Sequence, residues 1–410
     1  MAIFLFWFFA ALTAAGVICH VFQIWSIRSA VAGEKTTSGP ACIRNLTEPL
    51  PPVSILKPLK GLDDNLFDNL ESFCRLDYPE YELIFALQNR NDPAFKVAWK
   101  IKLKYPARDI TIVVRRCEEG LNPKVNNLIP AYANARHEHI LISDSNVSVH
   151  KDYLRRTMAG MNEPGAGLVT NLVEGTGARS LGSVFENLHL NSFIMGSVCF
   201  LDKFMRMPCV VGKSMLMKKR DIEAIGGLEA VKDVLAEDYM IGKKMAELGR
   251  KVVLSGFRVQ TVNHYWGPGK FLARHTRWGK LRWKIGGARY ILELVLNPVF
   301  MSAVPLLLST LHGGPSKRTL ALALSACIIK IAGDFGIGET LGSEIHPFSY
   351  LAAPLKDLLI GLAWFAPMAS NTVSWRGNRY LIGRDSVLQP CPETALTYPD
   401  ISLYEEVIVK

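Results

Sequence analysis

Apolar positions fall into three regimes along the chain. Residues Ala2 to Trp25 are almost continuously apolar and rich in Phe and Trp. At about 1.5 Å of rise per residue the run is long enough for about 30 Å of hydrocarbon. It predicts a transmembrane anchor over 1–27, since no basic stretch precedes it and it exceeds the apolar core of a cleaved leader. A Gly- and Pro-containing linker, 28–52, follows. From Val53 the pattern becomes short apolar runs alternating with helical periods. Val53 to Leu56, Glu82 to Leu87, Thr111 to Val114 and Ile140 to Ile142 read as buried strands, with helices over Leu66 to Cys74 and Val125 to Ala135. That alternation predicts an α/β domain built on a largely parallel sheet. A helix over Lys218 to Ile225 is stopped by Gly226-Gly227, and Glu237-Asp238 opens an amphipathic stretch, Tyr239 to Leu248. The third regime begins at Tyr290. Tyr290 to Leu311 is apolar but broken by Asn297-Pro298 and Pro305, which predicts a kinked or re-entrant segment. Thr319 to Ala332 is a short apolar run. Tyr350 to Met368 is a further candidate span that contains Lys356-Asp357, charges that must face helices, a headgroup or water. The tail, 371–410, carries Arg376, Arg379 and Arg384.

Composition sharpens the membrane reading. The 410 residues are 49% hydrophobic, with a mean hydropathy of +0.15. A net charge of +10 beside apolar spans fits anionic lipid headgroups better than nucleic acid. Arg28, Lys35 and Arg44 follow the anchor, so the positive-inside rule puts the next segment in the cytoplasm. If Tyr290 to Leu311 is re-entrant, the same rule keeps the basic Lys317-Arg318 loop cytoplasmic and puts the acidic Asp334 to Glu344 loop outside. Eight cysteines without CxxC spacing indicate neither a zinc site nor a disulfide framework, and a reducing compartment fits. Asn45-Leu46-Thr47 and Asn146-Val147-Ser148 match the glycosylation sequon by chance, on this orientation. His137, His139, His189 and His264 have no metal-ligand spacing.

Candidate chemistry lies just beyond the strands. In HILISDSNVSVH an apolar strand ends in Asp144-Ser145-Asn146, and ligands of open α/β sheets collect at strand carboxyl ends. The triplet alone is also an ordinary turn composition. Asp144 is the metal candidate, with Asn146 offering an amide oxygen. Asp92 stands after the second strand, where it can accept hydrogen bonds or open an Asp-Pro turn. Lys124 follows Asn122-Pro123 at a helix start, a position suited to an anion. Asp238 belongs to an acidic pair that could complement a helix dipole or accept a proton. Arg274, Arg277 and Trp278 share a basic stretch continued by Lys280, Arg282, Trp283 and Lys284, which also suits a membrane-surface helix. Arginine forks bind phosphate oxygens in pairs.

Taken in order, the strings SILKPLKG at 54–61, NPKVNNL at 122–128, DSN at 144–146, EDY at 237–239 and RHTRW at 274–278 resemble the ceramide glucosyltransferase family, covering roughly Val53 to Trp283. These are inverting glycosyltransferases of the GT-A fold, and a bacterial family that glycosylates hopanoids is similar too. The resemblance implies a GT-A nucleotide-sugar-binding domain with a Rossmann-like mixed sheet over 53–285, ending in a membrane-interface helix. Transmembrane or re-entrant helices would fill 286–370, leaving 371–410 as a cytoplasmic tail. It implies a UDP-sugar donor, a membrane lipid acceptor (ceramide or a hopanoid), and a divalent cation, Mg2+ or Mn2+, at Asp144. Asp238 would be the catalytic base. Asp92, Lys124, Asp144, Arg274, Arg277 and Trp278 would hold the donor. Asn89 stands where family members often have an Asp, and DSN stands where many glycosyltransferases have Asp-x-Asp; the resembling family departs from the full motif too, and the lost negative charge weakens metal affinity. UDP-glucose and ceramide, UDP-N-acetylglucosamine and a hopanoid, a processive polysaccharide synthase, and a non-catalytic lipid-binding membrane protein remain as readings.

Overall fold

The computed structural model describes residues 2–37, 50–375, 378–391 and 407–409. Arg44, the Asn45-Leu46-Thr47 sequon and Arg376 lie outside the described residues, as do positions 38–49 of the expected linker. The chain forms two interleaved compact units. One comprises Ala32–Glu174, Arg206–Val262 and Thr372–Lys410; the other comprises Met1–Val31, Gly175–Met205 and Asn263–Asn371.

The first unit is organised on a nine-stranded mixed sheet. Its strands are β1 (Val53–Pro58), β2 (Tyr81–Leu87), β3 (Ile110–Val114), β4 (His139–Ile142), β5 (Val147–Ser148), β6 (Ala166–Thr176), β7 (Met215–Lys218), β8 (Lys251–Val262) and β12 (Val407–Val409), in the order β12-β3-β2-β1-β4-β7-β6-β8-β5. β3, β2, β1 and β4 are parallel, while β7 runs antiparallel to β4 and to β6. The α/β mixed sheet expected from the sequence is therefore present, and its parallel half carries the four strands anticipated from apolar runs.

Strand alternation explains its two cores. Successive side chains point to opposite faces. Ile55, Leu83, Phe85 and Leu141 pack on one face with the Leu66–Cys74 and Pro93–Lys104 helices. Leu56, Ile84, Ala86, Ile140 and Ile142 pack on the other with the Pro123–Ala133 and Glu237–Glu247 helices. Each fully buried large apolar side chain contributes about 1.5–3 kcal/mol. Lys57, in the same buried strand, stands out because it is fully enclosed.

The second unit is helical. Among the described residues three helices are long and apolar enough to cross a membrane: Ile3–Glu34, Lys317–Leu341 and Pro347–Ala369. Pro268–Val295 and Pro298–Leu311 form a pair bent by 61°, a broken span or re-entrant loop, in keeping with the kink expected at Asn297-Pro298. The amino-terminal helix continues to Thr37, well into the segment read as linker. Two expectations are corrected. Thr319 to Ala332 is part of a 25-residue helix, and Asp334 lies inside that helix instead of in an outer loop. The reason is an i,i+4 pair: Lys330 Nζ is 2.6 Å from Asp334 Oδ1, so the helix carries both charges inward together. Lys356 and Asp357 are buried among helices, with Lys356 Nζ 2.7 Å from Asp357 Oδ1. The charge-rule argument for an outer Asp334 loop therefore lapses.

Candidate active site

The site grows from four chain segments that end at the carboxyl edge of the parallel strands. β4 delivers Asp144 two residues past its last residue. The Pro123–Ala133 helix delivers Lys124 because Asn122 caps it, its Oδ1 accepting the N–H groups of Lys124 at 2.9 Å and Val125 at 3.1 Å, with Pro123 pre-set for a first helical position. Gly212 and Lys213 precede β7, and Glu237-Asp238 begin the Glu237–Glu247 helix.

Lys124 is the hub. Its Nζ lies 2.7 Å from Asp144 Oδ1 and 2.8 Å from Glu237 Oε1, and donates to the Gly212 carbonyl at 3.0 Å. Burial opposes its charge, but Asp144, Glu237 and Asp238 together push the ammonium pKa up. Burial likewise disfavours the Asp144 carboxylate, yet Lys124 and Lys213 outweigh it and take the pKa down to about 2. Asp144 is thus anionic at any physiological pH. Lys213 Nζ is 3.8 Å from Asp144 Oδ2 and donates to Asn146 Oδ1 at 2.5 Å.

Asp238 behaves in the opposite sense. Burial and the neighbouring Glu237 raise its pKa to about 6, with Lys124 and two backbone N–H groups acting the other way. Those donors are Gly212 N to Oδ2 at 2.9 Å and Tyr239 N to Oδ1 at 2.8 Å. A Cβ at position 212 would come within 2.5 Å of Asp238 Oδ2, so only glycine admits this approach. The Gly226-Gly227 pair has φ of 96° and 72° and ends the preceding helix, which favours the stop-signal reading of those glycines.

The structure brings together Lys124, Asp144 and Asp238 of the expected site residues. Asp92 is a helix cap: Oδ1 accepts the Ala94 N–H at 2.9 Å, and the carboxylate also takes the Gly61 N–H, at 2.9 and 3.1 Å. It therefore holds the SILKPLKG loop. Arg274, Arg277 and Trp278 stand on the Pro268–Gly286 helix of the other unit. There Arg274 Nη1 is 3.1 Å from Glu186 Oε1, and its guanidinium lies 4.5 Å from the Trp278 ring centroid. His275 Nε2 pairs with Glu186 Oε2 at 2.8 Å.

Three groups were not assigned roles from sequence. Lys57 Nζ donates to the Asp144 carbonyl at 2.6 Å and to Ser143 Oγ at 3.3 Å, and lies 3.7 Å from the Phe73 ring centroid. Burial pushes its pKa well down, only partly opposed by Asp144. Ser145 Oγ donates to Asp63, so all three residues of the triplet are tethered. A lone lysine in an apolar strand was the available signal. Glu237 and Lys213 had none, since acidic helix starts and isolated lysines are commonplace.

Among the described residues no three His, Cys, Asp or Glu groups gather as a metal site. The donors a hard cation would take, the half-buried Asp144 carboxylate and the Asn146 amide oxygen, are paired here with the Lys124 and Lys213 ammonium groups, so a cation held by one carboxylate, substrate phosphates and water would have to displace a lysine from Asp144.

One cluster at the parallel α/β edge thus carries a low-pKa carboxylate, a bridging lysine and a raised-pKa carboxylate. The chain matches the model of glycosyl transferase family 21 over residues 8–388 and belongs to that family; it is a glycosyltransferase. It is 34% identical to ceramide glucosyltransferase 3 of Caenorhabditis elegans over 335 residues, covering 80% of this chain and 72% of that protein. It is 28% identical to ceramide glucosyltransferase 1 of the same organism over 342 residues, covering 81% and 72%. Among solved structures, the mannosyltransferase PcManGT from Pyrobaculum calidifontis in complex with GDP-Man and Mn2+ is similar at 15% identity, covering 87% of this chain and 98% of that one with a TM-score of 0.45.

Proposed function

We propose that the protein transfers glucose from UDP-glucose, with inversion, to the primary hydroxyl of ceramide at the cytoplasmic face of a membrane, giving β-glucosylceramide and UDP. The observation that carries the acceptor and donor is the 34% identity to a ceramide glucosyltransferase across 80% of the chain. The three spanning-length helices accord with a lipid substrate.

In this reading Asp238 accepts the proton of the acceptor hydroxyl as its oxygen bonds to the anomeric carbon. The bond from that carbon to the diphosphate breaks on the opposite side, and UDP leaves with the electron pair. A pKa raised to about 6 suits the base: it is ionised at neutral pH, yet basic enough to take a proton. Lys124 supplies fixed positive charge where diphosphate charge develops. Asp144, with Asn146, would hold Mg2+ or Mn2+, whose charge would neutralise the diphosphate. Asp92 keeps the loop bearing Gly61 in place beside the donor. Arg274, Arg277 and Trp278 enter the proposal as donor-binding groups by resemblance alone.

The test is direct. Detergent-solubilised protein is incubated with labelled UDP-glucose, UDP-galactose and UDP-N-acetylglucosamine, each with ceramide or a hopanoid, with and without EDTA, and the lipid product is identified. β-Glucosylceramide as the main product supports the proposal. A hopanoid carrying N-acetylglucosamine would replace it, and absence of transfer in every pairing would defeat it.

A further inference from the structure

The chain that follows the membrane helices contributes to the sheet-bearing unit. β9 (Thr372–Trp375), β10 (Asn378–Ile382) and β11 (Leu388–Pro390) form a small antiparallel sheet of their own. Between β10 and β11 the backbone turns through Asp385 and Ser386, with φ of 52° and 61°. Two consecutive residues other than glycine in the left-handed region are costly, and such strain persists only where surrounding contacts impose it.

Asp385 Oδ1 lies 3.7 Å from Lys243 Nζ on the Glu237–Glu247 helix, and the contacts of Ser386 and the residues after it fall on the loop that precedes that helix. Ser386 is fully buried; its carbonyl accepts the Leu235 N–H at 2.9 Å and its Oγ accepts the Ala236 N–H at 3.2 Å. Leu388 N–H donates to the Asp233 carbonyl at 2.7 Å, and Val387 makes an antiparallel bridge with Val234. Ala236 is the cap position of the Glu237–Glu247 helix and has no side chain with which to cap. From the other side, Asn122 Nδ2 donates to the Val234 carbonyl at 2.6 Å, and Asp233 Oδ1 accepts the Leu121 N–H at 2.8 Å. The loop before Asp238 is therefore held between the segment that begins the Lys124 helix and the strained turn of the carboxyl-terminal sheet.

We propose that Ser386 is a positioning residue for Asp238: through Leu235 and Ala236 it sets where the helix start presents that carboxylate to the acceptor hydroxyl. The inference rests on Asp238 being the proton acceptor. The backbone strain at Ser386 is the cost of bringing both of its oxygens onto consecutive N–H groups.

The test compares three variants of the full-length protein in detergent. Ser386→Gly removes Oγ while relaxing the backbone, because glycine enters this region freely. Ser386→Asn restores a side-chain acceptor on a residue that tolerates the same φ. Asp238→Asn runs in parallel, and thermal unfolding is followed for each. The expected result is a Ser386→Gly enzyme with undiminished thermal stability, kcat lowered about tenfold to a hundredfold, and donor KM within about twofold. Ser386→Asn should recover most of kcat. Wild-type kcat in Ser386→Gly, with Asp238→Asn inactive, overturns the positioning role alone. If Ser386→Gly does not fold, Ser386→Asn decides: near-wild-type kcat supports the role, and a folded Asn variant with kcat still lost overturns it. Full transfer by Asp238→Asn overturns the underlying base assignment, and this inference with it.

Discussion

Each unit of this protein buries a cluster of alternating acids and bases, and the two clusters are built to opposite ends. Among the membrane-class helices, His20, Lys330, Asp334, Asp357 and Lys356 join three helices: His20 Nε2 lies 3.5 Å from Asp334 Oδ1, and Lys330 Nζ reaches Asp334 at 2.6 Å and Asp357 at 3.9 Å. These are side chain facing side chain, with Lys330, Asp334 and Lys356 nearly or wholly enclosed. In the sheet-bearing unit, Lys124 bridges Asp144 and Glu237, but the Asp144 side chain keeps 28% exposure and Asp238 takes its hydrogen bonds from backbone N–H groups. The first cluster is closed and ties helices together. The second leaves a carboxylate edge open and separates two protonation states, Asp144 at about 2 and Asp238 at about 6. The same residue types thus serve cohesion when every charge faces another, and chemistry when one edge and one proton affinity are left available.

The comparison can be broken most sharply at Asp238. Asp238→Asn should lower kcat about 10²- to 10⁴-fold with little change in melting temperature, measured by steady-state transfer and thermal unfolding. Asp334→Ala should do the reverse, costing about 3–5 kcal/mol by stranding Lys330 and His20, while molecules that remain folded keep their kcat. Its measurement is the unfolding midpoint in detergent beside activity per folded enzyme; equal stability of the variant would dissolve the contrast. The pH profile gives a third, smaller test. Asp238 works deprotonated, so kcat should be flat above about pH 6 and fall about tenfold per pH unit below it, while Asp144 stays charged throughout that range. The least expected effect is at Lys57. Lys57→Met fills a similar volume and leaves the Asp144 carbonyl without its donor, weakening donor binding by about 1–2 kcal/mol, read as a rise in UDP-sugar KM at unchanged kcat.

Much of this was visible in the residue order. The Leu66–Cys74 helix and the first four strands followed from apolar period, and Asn122-Pro123 announced the helix that carries Lys124. Asp144 was legible less from its own triplet, an ordinary turn composition, than from its place at a strand's carboxyl end in an ordered series with Asp92, Lys124, Asp238 and Arg277. What escaped were pairings between distant segments. Thr319 to Ala332 looked too short for a span because charges at Lys330, Asp334 and Glu339 interrupt the apolar run, and the partners of Lys330 and Asp334 lie on other turns and other helices. The tail was legible only as a cytoplasmic segment, because strands of four, five and three residues carry too little period to register.

Local order along the chain was enough for the parallel half of the sheet and the helices that flank it, since hydrophobic period and helix caps act within a few residues of themselves. It was also enough to nominate an ordered set of carboxylates and bases. It could not say that Lys124 stands between Asp144 and Glu237, that Lys57 holds the Asp144 backbone from inside the sheet, or that Ser386 grips the loop before Asp238 from 148 positions along the chain, counting from Asp238 to Ser386. Proton affinity and position depend on distances between charges and on the water excluded around them. Those quantities come into being only when segments far apart in sequence pack against one another.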